Sequence, residues 1–125
     1  MRRGAPFSFV NALIVTGRQV SVDQRSAARK IMRAKAVVAM DGMPPQPART
    51  LDIGASGMSL TFEHKLEVGH LGNVTFELFL DGKAHIVSCR SKVSYCIFSG
   101  DHFKIGYHFI NLDPAALTAI TKFLR

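Results

Sequence analysis

The chain has 125 residues, 47% hydrophobic and 20% charged, with a formal net charge of +7. That is the length of one domain with enough apolar residues to bury a core, and the composition excludes a disordered tail. No apolar run reaches the ~18 to 20 residues that a membrane-spanning helix needs.

The charge is unevenly placed. Residues 1–35 hold eight of the 16 Lys and Arg against one acid, Asp23, and the rest of the chain is balanced. A nucleic-acid groove spreads its cations along a face that tracks phosphates. A short basic arm fits a small anion held at the entrance of the domain at least as well. Within the arm, Phe7 to Val15 is the most apolar stretch and comes after Arg2 and Arg3. Asn11 interrupts it and no small-residue cleavage site succeeds it, so a secretion signal is not expected and a cytoplasmic location is.

In chain order, the first marked feature is Arg25-Ser26-Ala27-Ala28-Arg29. On a helical turn, residues four apart share a face, so two guanidinium forks would stand side by side. In an irregular segment they can still converge on one anion. Ala36 to Met40 reads as a strand ending at Asp41-Gly42, and then comes a loop studded with Pro44, Pro45 and Pro47. Ala48 to Ile53 leads into a turn bounded by Gly54 and Gly57. Met58, Leu60 and Phe62 then alternate with Ser59 and Thr61, the period of a half-buried strand. Val74, Phe76, Leu78 and Leu80 repeat it up to Asp81-Gly82, a strong hairpin signal because both residues accept positive φ. The return strand carries Ile86, Val87, Val93, Tyr95 and Ile97. A turn at Ser99-Gly100-Asp101 opens Phe103, Ile105, Tyr107 and Phe109.

The period changes once, at Asp113-Pro114, an N-cap and a first-turn proline. Leu117, Ile120, Thr121 and Leu124 then fall on one helical face. The expected fold is mainly β: a six-stranded antiparallel barrel with a C-terminal α-helix packed on it.

Few residues are arranged for reaction chemistry. The histidines (His64, His70, His85, His102, His108) are scattered, with no metal-binding spacing. Cys89 and Cys96 lack a CxxC spacing and read as buried thiols. No nucleophile elbow, phosphate loop or paired general acid and base is present, so no enzymatic activity is expected. The binding signals are better. Each arginine fork can grip a phosphate in bidentate fashion and stack on a purine. Asp52 can accept the two donors of a guanine edge, or else cap its own turn. Gly54 and Gly57 suit a tight bend or a close approach to the backbone. Ser56 can bond a phosphate or the turn. Together they indicate a site for a small guanine nucleotide.

This order of features resembles the PilZ domain, a bacterial receptor module for cyclic di-GMP. The family has an RxxxR arm, a strand, a loop, a strand and a (D/N)xSxxG turn, then further barrel strands and a terminal helix. Arg25 and Arg29 match the first motif; Asp52 and Gly57 match the second. Thr50 to Leu60 is similar to the strand pair around the second motif, and Phe103 to Phe109 with Leu112-Asp113-Pro114 resembles the usual ending. One position departs: Gly54 stands where the family has serine. The resemblance covers about residues 24–125, leaving 1–23 as a basic N-terminal extension. It implies a cyclic di-GMP receptor in which Arg25, Arg29, Asp52, Gly54, Ser56 and Gly57 contact the ligand, with no other cofactor and no metal. Ligand binding would order the arm and signal to an unidentified protein partner, with outputs such as motility, pili, exopolysaccharide or virulence. Two other readings compete. One is a PilZ-like adaptor that has lost nucleotide binding, which Gly54 favours. The other is a single-strand nucleic-acid binder, which the balanced charge of the body disfavours.

Overall fold

The structure, a computed structural model, describes residues 28–125. Arg25, Ser26 and the rest of the arm before Ala28 lie outside the described residues. Seven strands and one helix make up the described chain: β1 (Arg29–Ile31), β2 (Lys35–Met40), β3 (Gln46–Gly54), β4 (Gly57–Phe62), β5 (Leu71–Leu80), β6 (Lys83–Ser99), β7 (His102–Phe109) and α1 (Pro114–Leu124). Neighbours run in the order β1-β3-β2-β5-β6-β7-β4, and pairing of β4 with β3 closes a six-stranded antiparallel barrel. β1 is the extra strand, added to the end of β3 with Arg29 opposite Gly54.

The alternation expected from the sequence fills the barrel. Val38, Met40, Ile53, Met58, Leu60, Val74, Phe76, Leu78, Val93 and Ile105 are all buried in one cluster. The β5–β6 hairpin turns on Asp81 (φ 52°) and Gly82 (φ 77°), as the dipeptide requires. Gly100 (φ 82°) makes the β6–β7 turn.

Several local expectations are corrected. Arg29 begins a strand rather than standing on a helical turn. Pro47 belongs to β3, opposite Val37, near the strand's start where its missing N–H is tolerated. In β6, Val87 and Val93 point inward, but Ile86 (68% exposed) and Ile97 (54%) face out. α1 buries Ala116 and Ile120, whereas Leu117 and Thr121 are exposed. The helix meets the barrel along β5 and β6, so its contact stripe runs through Ala116, Ala119, Ile120 and Phe123. Its start is as expected: the Asp113 carboxylate accepts from the Ala116 N–H at 2.7 Å, with Pro114 in the first turn. Among the described residues no helix is long and apolar enough to cross a membrane.

Both cysteines are free. Cys89 is buried, and burial pushes its thiol up to about 12, so it stays protonated and unreactive.

Candidate functional site

The candidate residues among those described gather on the outer face of the wall formed by β3, β4, β7 and β6. Asp52 lies opposite Ser59, Ser59 opposite Gly106, and Gly106 opposite Tyr95, a single row across four strands. Strict alternation would not put Asp52 there, because Thr50, two residues before it, points into the core. The β3–β4 register shifts between Thr50 and Asp52, so Leu51 is the extra residue of a bulge that re-aims Asp52 outward. A second shift, between Val93 and Tyr95, makes Ser94 the extra residue of β6 and turns Tyr95 onto the same outer face. Two bulges thus build one site.

Arg29 completes it from β1. Its side chain runs over Gly54, where an added Cβ would stand 3.2 Å from both Cγ and Nη1 of Arg29. From there Nη2 donates to Asp52 Oδ1 at 2.6 Å. The fully buried Ser59 hydroxyl donates to the same oxygen at 2.9 Å. Burial acts to raise the Asp52 pKa, but the hydrogen bonds from Arg29 and Ser59 and the charges of Arg29 and Lys104 outweigh it. The carboxyl is held below its ordinary value and stays ionised at neutral pH. Asp52 therefore does not cap its own turn.

The segment between β1 and β2 fixes Arg29 in place. Met32 and Ala34 are buried there. The buried Thr50 hydroxyl donates to the Met32 carbonyl at 2.5 Å and accepts from the Ala34 N–H at 2.8 Å. Backbone bonds from Met32 N to Leu51 O and from Thr50 N to Ala34 O, each 2.9 Å, complete the anchor. At the other edge, Lys30 Nζ donates to the Arg125 carbonyl at 3.1 Å and lies 5.3 Å from the Phe123 ring centroid.

Of the two uses expected of the glycines, a tight bend or a close approach, the structure shows the close approach. Neither has positive φ. Gly54 makes room for Arg29. At Gly57 a Cβ would fall 2.2 Å from the Tyr107 carbonyl oxygen, so this glycine lets β4 pack closely on β7.

Between these groups lies an open cleft of about 400 Å³, lined by Arg29, Asp52, Ser56, Tyr95, Lys104 and His108 among others. Tyr95, Lys104 and His108 are additions that the sequence motifs do not single out. Gly106 is the signal for Tyr95: a Cβ there would meet the Tyr95 ring at 2.0 Å, so the ring lies over the glycine. Chemically, the cleft offers one ionised carboxylate, a guanidinium, an ammonium and an aromatic wall. That is equipment for holding a polar, anionic, planar ligand. The Tyr107 phenol takes no part: it points into the core toward Met40 Sδ at 3.6 Å, and burial and nearby Cys96 raise its pKa.

The PilZ domain model matches residues 23–125. This chain belongs to the PilZ domain family. No curated protein matches it. Among solved structures, this PilZ domain is similar to the Bacillus subtilis inhibitor of motility MotI/DgrA, at 9% identity and a TM-score of 0.73, covering 82% of this chain and 50% of that one. It is also similar to Escherichia coli YcgR in complex with c-di-GMP (12% identity, TM-score 0.64, 80% of this chain and 44% of that one). The isolated PilZ domain of YcgR with c-di-GMP matches at 12% identity and a TM-score of 0.62, covering 82% of this chain and 89% of that domain. The chain thus spans half or less of the first two proteins, and at these identities the likeness is one of fold.

Proposed function

We propose that this chain is a receptor, not an enzyme, for cyclic di-GMP, and that it passes the signal to a protein partner. The observation that carries this reading is the Arg29–Asp52 pair on an open outer wall beside Tyr95, at the two positions that match the family's motifs. Asp52 accepts the donor edge of a guanine, and Arg29 turns from Asp52 to a phosphate. Arg25, in the basic stretch before β1, supplies the second fork. Tyr95 offers a stacking surface and Lys104 a further cation. Ser56 lines the cleft, Gly54 admits Arg29, and Gly57 holds the turn against β7. Residues 1–23 form a basic extension ahead of the domain. The YcgR structures with bound c-di-GMP support the choice of ligand.

Calorimetry with cyclic di-GMP is the test. Micromolar or tighter binding is expected for the whole chain. Asp52→Ala removes charged hydrogen bonds to the guanine edge; the loss of one alone, about 1.5–3 kcal/mol, weakens affinity by roughly 10- to 100-fold, so at least that loss is expected. Arg29→Ala and Arg25→Ala are expected to weaken binding comparably. Absence of heat at micromolar protein would favour the second reading, an adaptor without nucleotide, which Gly54 in place of serine supports.

A further inference from the structure

The wall opposite the nucleotide cleft breaks the rule that outward positions of a solvated antiparallel sheet are polar. Val37 of β2 is 45% exposed, Phe79 of β5 58% and Ile86 of β6 68%. Val37 stands opposite Thr75, and Ile86 opposite Glu77, so the three line neighbouring rows of one face. A groove of about 480 Å³ runs between them. It adjoins a second of about 660 Å³, with which it shares Lys35, Val37 and Arg49. In the barrel order, β2 and β5 lie across from β7 and β4, so an occupant here leaves the nucleotide cleft open.

The charges at the rim point to the occupant. Lys35 lies directly opposite Arg49 on the paired strands, and Arg33 lines the same groove. Like charges facing each other across strands repel, and Glu77, the one carboxylate lining this groove, offsets only part of the three cations. No ion pair with a carboxylate involves any of the three among the described residues. An anionic group from outside would relieve that repulsion. A bare polyphosphate fits poorly, because it would cover none of the exposed Val37, Phe79 and Ile86. A protein segment combining carboxylates with apolar side chains fits both features: the carboxylates meet Arg33, Lys35 and Arg49, and the apolar groups cover Val37, Phe79 and Ile86.

We infer that the β2–β5–β6 outer wall is the docking surface for an acidic, apolar segment of a partner protein. The probe is a labelled nine-residue peptide alternating Glu and Leu, titrated into the isotope-labelled full chain and monitored by amide chemical shifts. Saturable shifts centred on Val37, Glu77 and Ile86 are expected, at least tenfold weaker for Ile86→Ser and for Lys35→Glu. Two results would overturn the inference. One is peptide shifts confined to other faces, or none. The other is equal binding of a Glu/Ser peptide or of phosphatidylglycerol vesicles, which would assign the surface to bare charge. Cyclic di-GMP titration of the same variants reads the other wall separately, so failure here is distinct from failure of the nucleotide site.

Discussion

A side chain added at Gly54 meets Arg29 first. The backbone there lies outside the positive-φ region, so serine adopts it without strain. Its Cβ would stand 3.2 Å from Arg29 Cγ and Nη1 and 3.4 Å from the Ala28 carbonyl oxygen. Arg29 is flexible and 44% exposed, so it can give way by a few tenths of an ångström. Gly54→Ser is therefore expected to change stability by no more than about 0.5 kcal/mol. It also adds a hydroxyl beside Asp52. One neutral hydrogen bond contributes about 0.5–1.5 kcal/mol, so cyclic di-GMP is expected to bind up to roughly tenfold tighter. Calorimetry on Gly54→Ser and Gly54→Ala together separates two causes. Alanine brings the same Cβ without the hydroxyl, so an equal gain in both would credit the displacement of Arg29 from Asp52.

At the scale of elements, β1 depends on its neighbours. It has three residues, all exposed, and pairs with β3 alone. The connection from β1 to β2 is held by Thr50, whose hydroxyl serves both the Met32 carbonyl and the Ala34 N–H. Thr50→Val keeps the shape and leaves both groups buried without that partner, at a cost of about 1–3 kcal/mol. Amide exchange in residues 29–34 is expected to accelerate while the centres of β5 and β6 stay protected, with weaker nucleotide binding. Uniform acceleration would place Thr50 in the global core instead. The same segment marks the limit of what the sequence makes legible. Period-2 runs in β4, β5 and β7, the Asp81-Gly82 turn and the Asp113-Pro114 cap can be read because each is a local preference. The bulges at Leu51 and Ser94 cannot, because a bulge is defined by the partner strand. Without them alternation turns Asp52 and Tyr95 toward the core, so the motif marks Asp52 in the sequence but not the face it stands on, and nothing marks Tyr95. Pairing of β1 with Gly54 is hidden for the same reason: a three-residue strand has no period to detect. On α1, Leu117 reads as buried because helical spacing gives the stripe but not its phase against β5 and β6.

At the scale of the molecule, the barrel joins β1, the outer wall that carries Asp52 and the helix into one folding unit. Residues next to each other in β1 hold different parts of it: Arg29 reaches Asp52, and Lys30 reaches the end of α1 at Arg125 and Phe123. A ligand clamped between Arg29 and the barrel wall therefore strengthens contacts that global unfolding must break. Binding to the folded state alone adds RT ln(1 + [L]/Kd), about 2.7 kcal/mol at a ligand concentration of 100 times Kd. For a domain of this size each kcal/mol shifts the midpoint by about 4–8 °C, so cyclic di-GMP at that excess is expected to raise the melting temperature by about 10–20 °C. Arg29→Ala, titrated at the same absolute concentration, should lose most of the rise, because its affinity falls while its unliganded fold keeps the barrel core. A full rise in Arg29→Ala would mean that the nucleotide is held without the arm. No rise in the unaltered chain at saturation would mean that the ligand does not favour the folded state, and the receptor reading would fail with it.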